Sequence, residues 1–264
     1  MTKLPRLPIG IQTFDEIRTE GYLYVDKTKY LIDLIDSGKV YFLSRPRRFG
    51  KSLTISTFDA LFSGKRELFK GLYAEEFFDR PSYKTSPVVR LDMSDLTTNM
   101  GFDRLRSSML ERVGESASRL GVKIESTAPG DALSGLMKQA AEKHGTPAVV
   151  LIDEYDHPIL DHLDDPEKTG VTREILRDFY IRIKAADRHL RFVFMTGISK
   201  FSKMGVFSAM NNLEDISMDA RCATMLGYTE EELLTNFDGY LDATADALGK
   251  SRDELIVQIR DYYD

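Results

Sequence analysis

The sequence predicts an α/β fold in which a mostly parallel sheet is covered by helices on both faces. Residues 148–152 are wholly apolar, which is typical of a strand that is buried on both faces. Three further strand candidates lie at 39–44, 87–92 and 191–196. Segments with helical periodicity separate these strands, and such alternation of strands and helices favours a parallel sheet.

The first half of the chain alternates strands with helices. The first strand leads to Gly50, after which apolar residues recur at helical spacing until Gly64, a residue type that commonly ends helices. The second strand precedes two predicted helices, at 102–120 and 131–144.

The second half contains one long helix between two strands. Residues 164–166, with their Asp-Asp-Pro sequence, interrupt the chain after the wholly apolar strand. A helix is then predicted over 171–187, because Ile175, Phe179 and Ile183 recur at four-residue steps. The last strand candidate follows directly.

The end of the chain predicts a small helical region. A threonine and a serine are each followed three positions later by a glutamate, as in a capping box: Thr229 with Glu232, and Ser251 with Glu254. Apolar residues at helical spacing follow each pair. We therefore divide the chain into an α/β domain over residues 1–215 and a helical appendage over 216–264.

The composition indicates an ordinary globular protein. The 264-residue chain has 42% apolar residues, 30% charged residues and a net charge of −6, which argues against a surface made for nucleic acid. Its single cysteine, Cys222, excludes an internal disulfide and suits a reducing compartment. No apolar run approaches the roughly 18 residues of a membrane span, and the start lacks the pattern of a signal peptide. We expect a cytoplasmic protein without membrane contact.

Residues 45–52, RPRRFGKS, follow the pattern of a phosphate-binding loop, Gly-x-x-x-x-Gly-Lys-Ser/Thr. Gly50, Lys51 and Ser52 are in register with that pattern, whereas Arg45 replaces its first glycine, a position that often needs a glycine backbone. The segment follows a predicted strand and opens a predicted helix, as the motif requires. In such a loop the backbone N–H groups and the lysine hold phosphates, and the hydroxyl holds Mg²⁺.

Two loop arginines leave alternatives open. Arg47 and Arg48 contact phosphate or a neighbouring subunit, or else form a solvated basic turn. We include both in the nucleotide-binding set, which is predicted to be Arg47, Arg48, Phe49, Gly50, Lys51 and Ser52.

Two adjacent carboxylates, Asp153 and Glu154, end the wholly apolar strand. A desolvated charge is costly unless it is paired or near a cation, so this pattern favours a function over the alternative of two solvated loop acids. In phosphate-loop ATPases the first carboxylate holds Mg²⁺ and a following glutamate activates the attacking water. We therefore assign the metal to Ser52 and Asp153, and water activation to Glu154.

The spacing of these motifs indicates one branch of the phosphate-loop NTPases. Lys51 and Asp153 are far apart in the chain, which leaves room for an interposed strand, supplied by 87–92. An interposed strand with an adjacent glutamate is the arrangement of the branch that includes AAA proteins.

Thr196 lies at the carboxyl end of the next strand, where open α/β sheets bind ligands. It is expected to sense the γ-phosphate or position the water; a turn-forming Thr-Gly is the alternative.

Taken together, these segments resemble the bacterial AAA-ATPase-like proteins, which often carry a C-terminal nuclease-like domain of the PD-(D/E)XK type. The resemblance covers most of the chain and, besides the loop at 45–52, includes YVDKT at 24–28, DEYD at 153–156, TGISKF at 196–201 and NNLEDI at 211–216. It implies an ATP-binding AAA-like domain with ATPase activity. It also implies that arginine, and not glycine, is typical of the family at position 45.

Two of these motifs contain residues with open roles. Tyr24 and Val25 either line the adenine side of the site or pack in the core, with Asp26 capping the helix that begins near Lys27. Asp156 either orients Glu154 or a basic partner, or lies at the surface.

The resemblance also implies a nuclease-like domain that this sequence lacks. Residues 261–264 resemble the early part of a family motif, and no acid-x-acid-Lys core is present. We expect no nuclease activity, nucleic acid as a partner only through such a missing domain, and a chain that is a fragment or a truncated product.

The sequence thus predicts a Mg-dependent ATP-binding protein that hydrolyses ATP, with Glu154, Lys51 and Thr196 as catalytic residues. The alternatives are a nucleotide-dependent switch or scaffold with little hydrolysis and, less favoured, a nucleic-acid-binding module. A second copy of the chain or another protein would supply an arginine finger. The candidates within this sequence are Arg173, Arg177, Arg182, Arg188 and Arg191.

Overall fold

The computed structural model describes residues 4–160, 162–199, 210 and 212–263. Lys200, Phe201 and Asn211, which belong to two of the motifs quoted above, lie outside these residues. In chain order the elements are α1 (Phe14–Thr19), α2 (Thr28–Ser37), β1 (Val40–Ser44), α3 (Lys51–Phe62), β2 (Val88–Asp92), α4 (Phe102–Leu120), α5 (Pro129–His144), β3 (Ala148–Asp153), α6 (His157–Leu160), α7 (Pro166–Ala185), β4 (Leu190–Gly197), β5 (Glu214–Asp215), α8 (Glu230–Asn236), α9 (Asp238–Leu248) and α10 (Arg252–Tyr263).

The five strands form one parallel sheet in the order β2-β3-β4-β1-β5, which confirms the predicted α/β fold. The carboxyl ends of β1, β3 and β4 therefore meet at the same edge. The register brings Ser44 opposite Gly197, and Asp92 opposite Asp153.

The segment 87–92 forms a strand between β1 and β3 along the chain, as predicted, but in the sheet the strand between β1 and β3 is β4. That segment forms β2, at the edge of the sheet beside β3. Side chains of α4 occupy its outward carbonyls: Ser116 Oγ donates to Arg90 O at 2.5 Å, and Arg119 Nη2 donates to Val88 O at 2.9 Å. Because α4 satisfies these carbonyls, β2 is stable without a second neighbouring strand.

Both faces of the sheet are buried. Alternate residues of β1, β3 and β4 point to opposite faces, as the pleat of a strand requires. Helices α4, α5 and α7 pack on one face, and α2, α3 and residues 216–226 pack on the other. This double covering explains why β1 and β3 are buried along their whole length.

Two helices begin earlier than predicted, and each has a proline in its first turn. The fifth helix begins at Pro129 instead of 131, and the seventh begins at Pro166 instead of 171. Proline suits this position because its missing N–H is not needed there. Asp165 caps α7 by accepting a hydrogen bond from Lys168 N at 3.1 Å. The interruption at 164–166 is therefore the start of a helix.

The helical end of the chain begins as predicted. At the first capping box, Glu232 N donates to Thr229 Oγ1 at 3.2 Å and Thr229 N donates to Glu232 Oε2 at 2.8 Å. Ser251 and Glu254 form the same pair of bonds. Leu241, Ala245 and Leu255 form a small core of their own, whereas Ile216, Cys222 and Met225 pack against the sheet. The division at residue 215 stays a proposal.

None of the helices in the described part of the chain combines the length and the apolar character needed to cross a membrane.

Candidate functional site

The loop between β1 and α3 is folded around its lysine. Lys51 is only 5% exposed, and its Nζ donates hydrogen bonds to Arg45 O at 2.9 Å and to Pro46 O at 3.0 Å. Burial lowers the pKa of Lys51, while the negative charges of Asp153 and Glu154 oppose that shift. The ammonium therefore lies at the centre of the loop, facing the acidic end of β3.

Arg45 occupies the position of the missing glycine without strain. The left-handed residues of the loop are Arg48, with a φ of 68°, and Gly50, with a φ of 90°. The Arg45 guanidinium donates to Ser44 O at 3.1 Å and also to Ser217 O. Arg45 thus fastens the loop to the segment after β5, a contact that glycine could not make.

The other two loop arginines are exposed, and within the described residues neither has an ion-pair partner. Arg48 lines an apolar cleft beside the loop. Arg47 lies close enough to Lys51 for its positive charge to contribute to the lowered pKa of that lysine. The loop therefore presents three cations within five residues, an environment suited to a polyanion.

Asp153 connects the ends of β3 and β4. It is 4% exposed, and its Oδ1 accepts hydrogen bonds from Thr196 Oγ1 at 2.5 Å and from Glu154 N at 3.1 Å. No hydrogen bond from the described residues reaches Oδ2. The structure thus brings Asp153 and Thr196 together and leaves one carboxylate oxygen available to a cation.

Glu154 has a left-handed backbone, with a φ of 51°, which costs a residue with a Cβ about 1 kcal/mol. Directly after it, Tyr155 N donates to Thr196 O at 3.0 Å and returns the chain to β4. Burial raises the pKa of Glu154, and the charge of Asp153 adds to the effect. A strained carboxyl with a raised pKa near a lysine is typical of proton-transfer sites.

Asp156 is fully buried, so the alternative that it lies at the surface is wrong. Its Oδ2 accepts hydrogen bonds from Ile198 N at 3.0 Å and Ser199 N at 2.6 Å. Gly197 permits this approach, because a Cβ there would lie 2.5 Å from the Tyr155 ring and 2.7 Å from Asp156 Oδ1. Gly197 is therefore required by packing, beyond any turn that the Thr-Gly pair forms.

The residues just described fall within a match to a protein-family model. The model, described as "Predicted AAA-ATPase" and named AAA-ATPase-like, matches residues 8–207, which is more than half of the chain. The chain belongs to the AAA-ATPase-like family. Membership supports nucleotide binding as its class of function.

A relative of this AAA-ATPase-like protein occurs in Azotobacter chroococcum mcd 1, where it is described as an uncharacterized protein in the vnfD 5' region. The two sequences are 41% identical over 251 residues. The alignment covers 95% of this chain and 47% of the relative, so the chain spans about half the length of the curated relative that it matches.

An apolar cleft of about 140 Å³ lies beside the loop of this AAA-ATPase-like protein. Tyr24, Val25, Gly50 and Leu53 line the cleft, and Tyr24 and Val25 are called its first wall below. Residues 225–228, which sequence reasoning did not assign to the site, also line it and are called its second wall. Tyr24 and Val25 are thus next to the loop, where the adenine side of the site was predicted.

Lys27 joins the two walls of the cleft. Its Nζ donates to Thr224 O at 2.7 Å and to the Glu232 carboxylate at 2.5 and 2.6 Å. Only 12% of the Lys27 side chain and 24% of the Glu232 side chain are exposed. Since the pair is partly shielded from water, it resists screening by salt better than a surface ion pair does.

Asp26 stabilises the start of α2 as expected, although the helix begins at Thr28 and the N-cap position is Lys27, one residue after Asp26. Its Oδ1 accepts a hydrogen bond from Thr28 N at 2.8 Å, and its Oδ2 accepts one from Tyr73 N at 2.7 Å. The motif at 24–28 therefore combines a cleft wall, a helix start and the lysine that bonds the far wall.

The candidate arginine fingers differ in their surroundings. Arg182 is paired with Asp131 at 2.9 Å. Arg191 lies at the start of β4, the end of that strand opposite Thr196, and bonds Lys84 O at 2.5 Å. Arg188 Nε likewise donates to His189 Nε2 at 3.0 Å. Within the described residues, these internal partners leave Arg173 and Arg177 as the better candidates.

Proposed function

We propose that this AAA-ATPase-like protein binds ATP together with Mg²⁺ and hydrolyses it. The main support is the meeting at one sheet edge of the Lys51 ammonium, the Asp153 and Glu154 carboxylates and the Thr196 hydroxyl. These groups come from the carboxyl ends of β1, β3 and β4, where open α/β sheets bind ligands.

The loop is the proposed phosphate site. Backbone N–H groups of residues 49–52 at the start of α3 bind the β- and γ-phosphates, helped by the helix dipole. When the nucleotide binds, Lys51 Nζ gives up its hydrogen bonds to the carbonyls of Arg45 and Pro46 and donates to phosphate oxygens instead. Arg47 is directed at the γ-phosphate, and Arg48 at the part of the nucleotide nearest the cleft.

Asp153 and Ser52 fit the needs of Mg²⁺. The free Oδ2 of Asp153 and the hydroxyl of Ser52, in the first turn of α3, are the hard oxygen ligands that this ion prefers. Among the described residues no three His, Cys, Asp or Glu side chains form a metal site by themselves, so the ion would bind with the phosphates. When bound, Mg²⁺ neutralises charge on the β- and γ-phosphate oxygens.

The proposed reaction is the attack of water on the γ-phosphorus of ATP. Glu154 accepts the proton of the water as the new P–O bond forms, and the bond between the γ-phosphorus and the β–γ bridging oxygen breaks. The products are ADP and phosphate. Thr196 keeps Asp153 in place and contacts the γ-phosphate. An arginine from a second copy of the chain or from another protein accelerates the reaction.

A nucleotide-dependent switch with little hydrolysis is the second candidate. One observation favours it: the single hydroxyl proton of Thr196 is donated to Asp153, so in this arrangement none remains for the γ-phosphate.

Binding of MgATP and multiple-turnover phosphate release, measured side by side, test the proposal. Lys51→Ala is expected to weaken binding at least 100-fold. Glu154→Gln is expected to leave binding within about 3-fold and to lower phosphate release at least 100-fold, since general-base catalysis contributes about 10²–10⁴-fold. Lys138→Ala, at an exposed position on α5, is the matched control.

Each alternative gives a different outcome in the same assay. Undiminished binding by Lys51→Ala contradicts the site. Equal, near-zero release by wild type and Glu154→Gln supports the switch. DNA binding that weakens steeply with salt and ignores ATP supports the nucleic-acid-binding module.

A further inference from the structure

The turn after β3 is fastened to the end of β4 on both sides of Glu154. Before it, the Asp153 carboxylate accepts the Thr196 hydroxyl at 2.5 Å. After it, Tyr155 N donates to Thr196 O at 3.0 Å, and the Tyr155 hydroxyl donates to Ser199 O at 2.9 Å. Glu154 itself is left-handed, so its conformation depends on these two attachments.

Asp156 makes the second attachment rigid. Its carboxylate is fully buried and accepts two backbone N–H groups, from Ile198 and Ser199. A buried carboxylate is costly unless its oxygens are hydrogen-bonded, so these two bonds hold the segment after β4 firmly against the turn. Gly197 completes the fit, because its missing side chain lets the Tyr155 ring and Asp156 lie against the backbone.

Breaking this attachment would release Glu154 without disturbing the phosphate loop. If the segment after β4 moves away from Asp156, residues 155–156 lose their anchor and Glu154 can relax to an extended backbone. Its carboxylate would then point elsewhere. The phosphate loop contacts β4 itself, where Arg45 N donates to Gly197 O at 3.1 Å, and not residues 198–199, so that bond and the bonds of Lys51 are kept.

We propose that Asp156 is a positioning residue for ATP hydrolysis, which acts through Glu154 by anchoring the turn to Ile198 and Ser199. This inference rests on the proposed function. The Asp156 carboxylate bonds the backbone of Ile198 and Ser199, so its effect falls on kcat through Glu154 while nucleotide affinity stays unchanged.

Asp156→Ala tests the role. Its kcat is expected to fall about 10- to 100-fold, the range for a catalytic group displaced by about 1 Å, while Kd for MgATP stays within about 2-fold. Asp156→Asn keeps an oxygen that can accept both N–H groups, and it is expected to recover kcat to within about 5-fold of wild type. Asp103→Ala, at a fully exposed position on α4, is the matched control.

The double variant Asp156→Ala, Glu154→Gln separates positioning from mere stabilisation. If Asp156 acts through Glu154, the double variant has the same kcat as Glu154→Gln alone, because neighbouring residues that act together are not additive. The inference is overturned if the two single reductions of kcat multiply in the double variant, or if Asp156→Ala leaves kcat unchanged. Either result counts even when Glu154→Gln behaves as proposed.

Two results complete the test. Should Asp156→Ala fail to fold, Asp156→Asn alone decides: a kcat reduced beyond 10-fold in a folded protein contradicts the anchoring role. If the wild-type protein releases phosphate no faster than Glu154→Gln does, the proposed ATP hydrolysis itself is rejected, and not only the role of Asp156.

Discussion

Thr196 Oγ1 lies 2.5 Å from Asp153 Oδ1, so the hydroxyl at the end of β4 donates to the carboxylate at the end of β3. The two residues are on neighbouring parallel strands, and Ile152 is directly opposite Met195 in the register. Thr196 on β4 therefore fixes the side-chain rotamer of Asp153 on the neighbouring strand β3. The acid keeps its other oxygen free for a cation, and its geometry is set before any ligand binds.

Removal of this hydroxyl is predicted to affect turnover more than affinity. In Thr196→Val the shape is kept, but Asp153 Oδ1 retains only the Glu154 N–H. We expect phosphate release to fall about 10- to 100-fold, MgATP affinity to change by less than about 5-fold, and unfolding free energy to fall by about 1 kcal/mol. Thr196→Ser, which restores the hydroxyl, is the control. A variant with normal release would show that this bond has no catalytic importance.

The two exposed loop arginines are predicted to differ in which nucleotide they favour. Arg47 lies near Lys51, so Arg47→Ala is expected to weaken ATP binding by about 10-fold and ADP binding much less. Arg48 lines the cleft, so Arg48→Ala is expected to weaken ATP and ADP binding equally, by about 3- to 10-fold. Titration of each variant with both nucleotides measures the ratio. Arg66→Ala, at an exposed residue that pairs with Asp79 and does not line the cleft, is the control. Identical ratios for Arg47→Ala and Arg48→Ala reject the division of roles.

Glu154→Gln is predicted to make the protein more stable at alkaline pH. Burial raises the pKa of Glu154 in the folded state above its ordinary value of 4.5. Such a group contributes stability that is fully present below the ordinary pKa and is lost as pH rises through the folded pKa. Glutamine does not titrate, so the melting temperature of Glu154→Gln should exceed that of wild type at pH 8, and the two should converge towards pH 4.

Thermal unfolding without nucleotide at several pH values measures this difference. The control is Glu231→Gln, at an exposed position on α8. Its melting temperature should stay close to that of wild type at every pH. If the difference in melting temperature between Glu154→Gln and wild type narrows as pH rises, the sign is opposite to the prediction and contradicts the raised pKa of Glu154.

Local patterns predicted most of the secondary structure and the edge where the site lies. The apolar runs of β1 and β3 are long enough to indicate strands buried on both faces, and the capping boxes at Thr229 and Ser251 mark helix starts. Since parallel strands share one carboxyl edge, the motifs after β1, β3 and β4 had to meet.

The remaining features depend on contacts between distant residues, which spacing along the chain does not contain. The sheet order places β4 between β1 and β3, although β2 comes between them in sequence. Arg45 is explained only by its bond to Ser217, and Asp156 only by the backbone after β4. The two-residue strand β5 and the six-residue helix α1 had too little periodicity to be recognised.

The cleft beside the loop is built from both ends of the chain, and Lys27 bonds the late residues Thr224 and Glu232. A ribosome releases the N-terminal part of a protein first, and domains begin to fold during synthesis. The loop lysine and both carboxylates of the site thus emerge well before the second wall of the cleft has been translated. A nascent chain therefore acquires its phosphate loop before it acquires that wall.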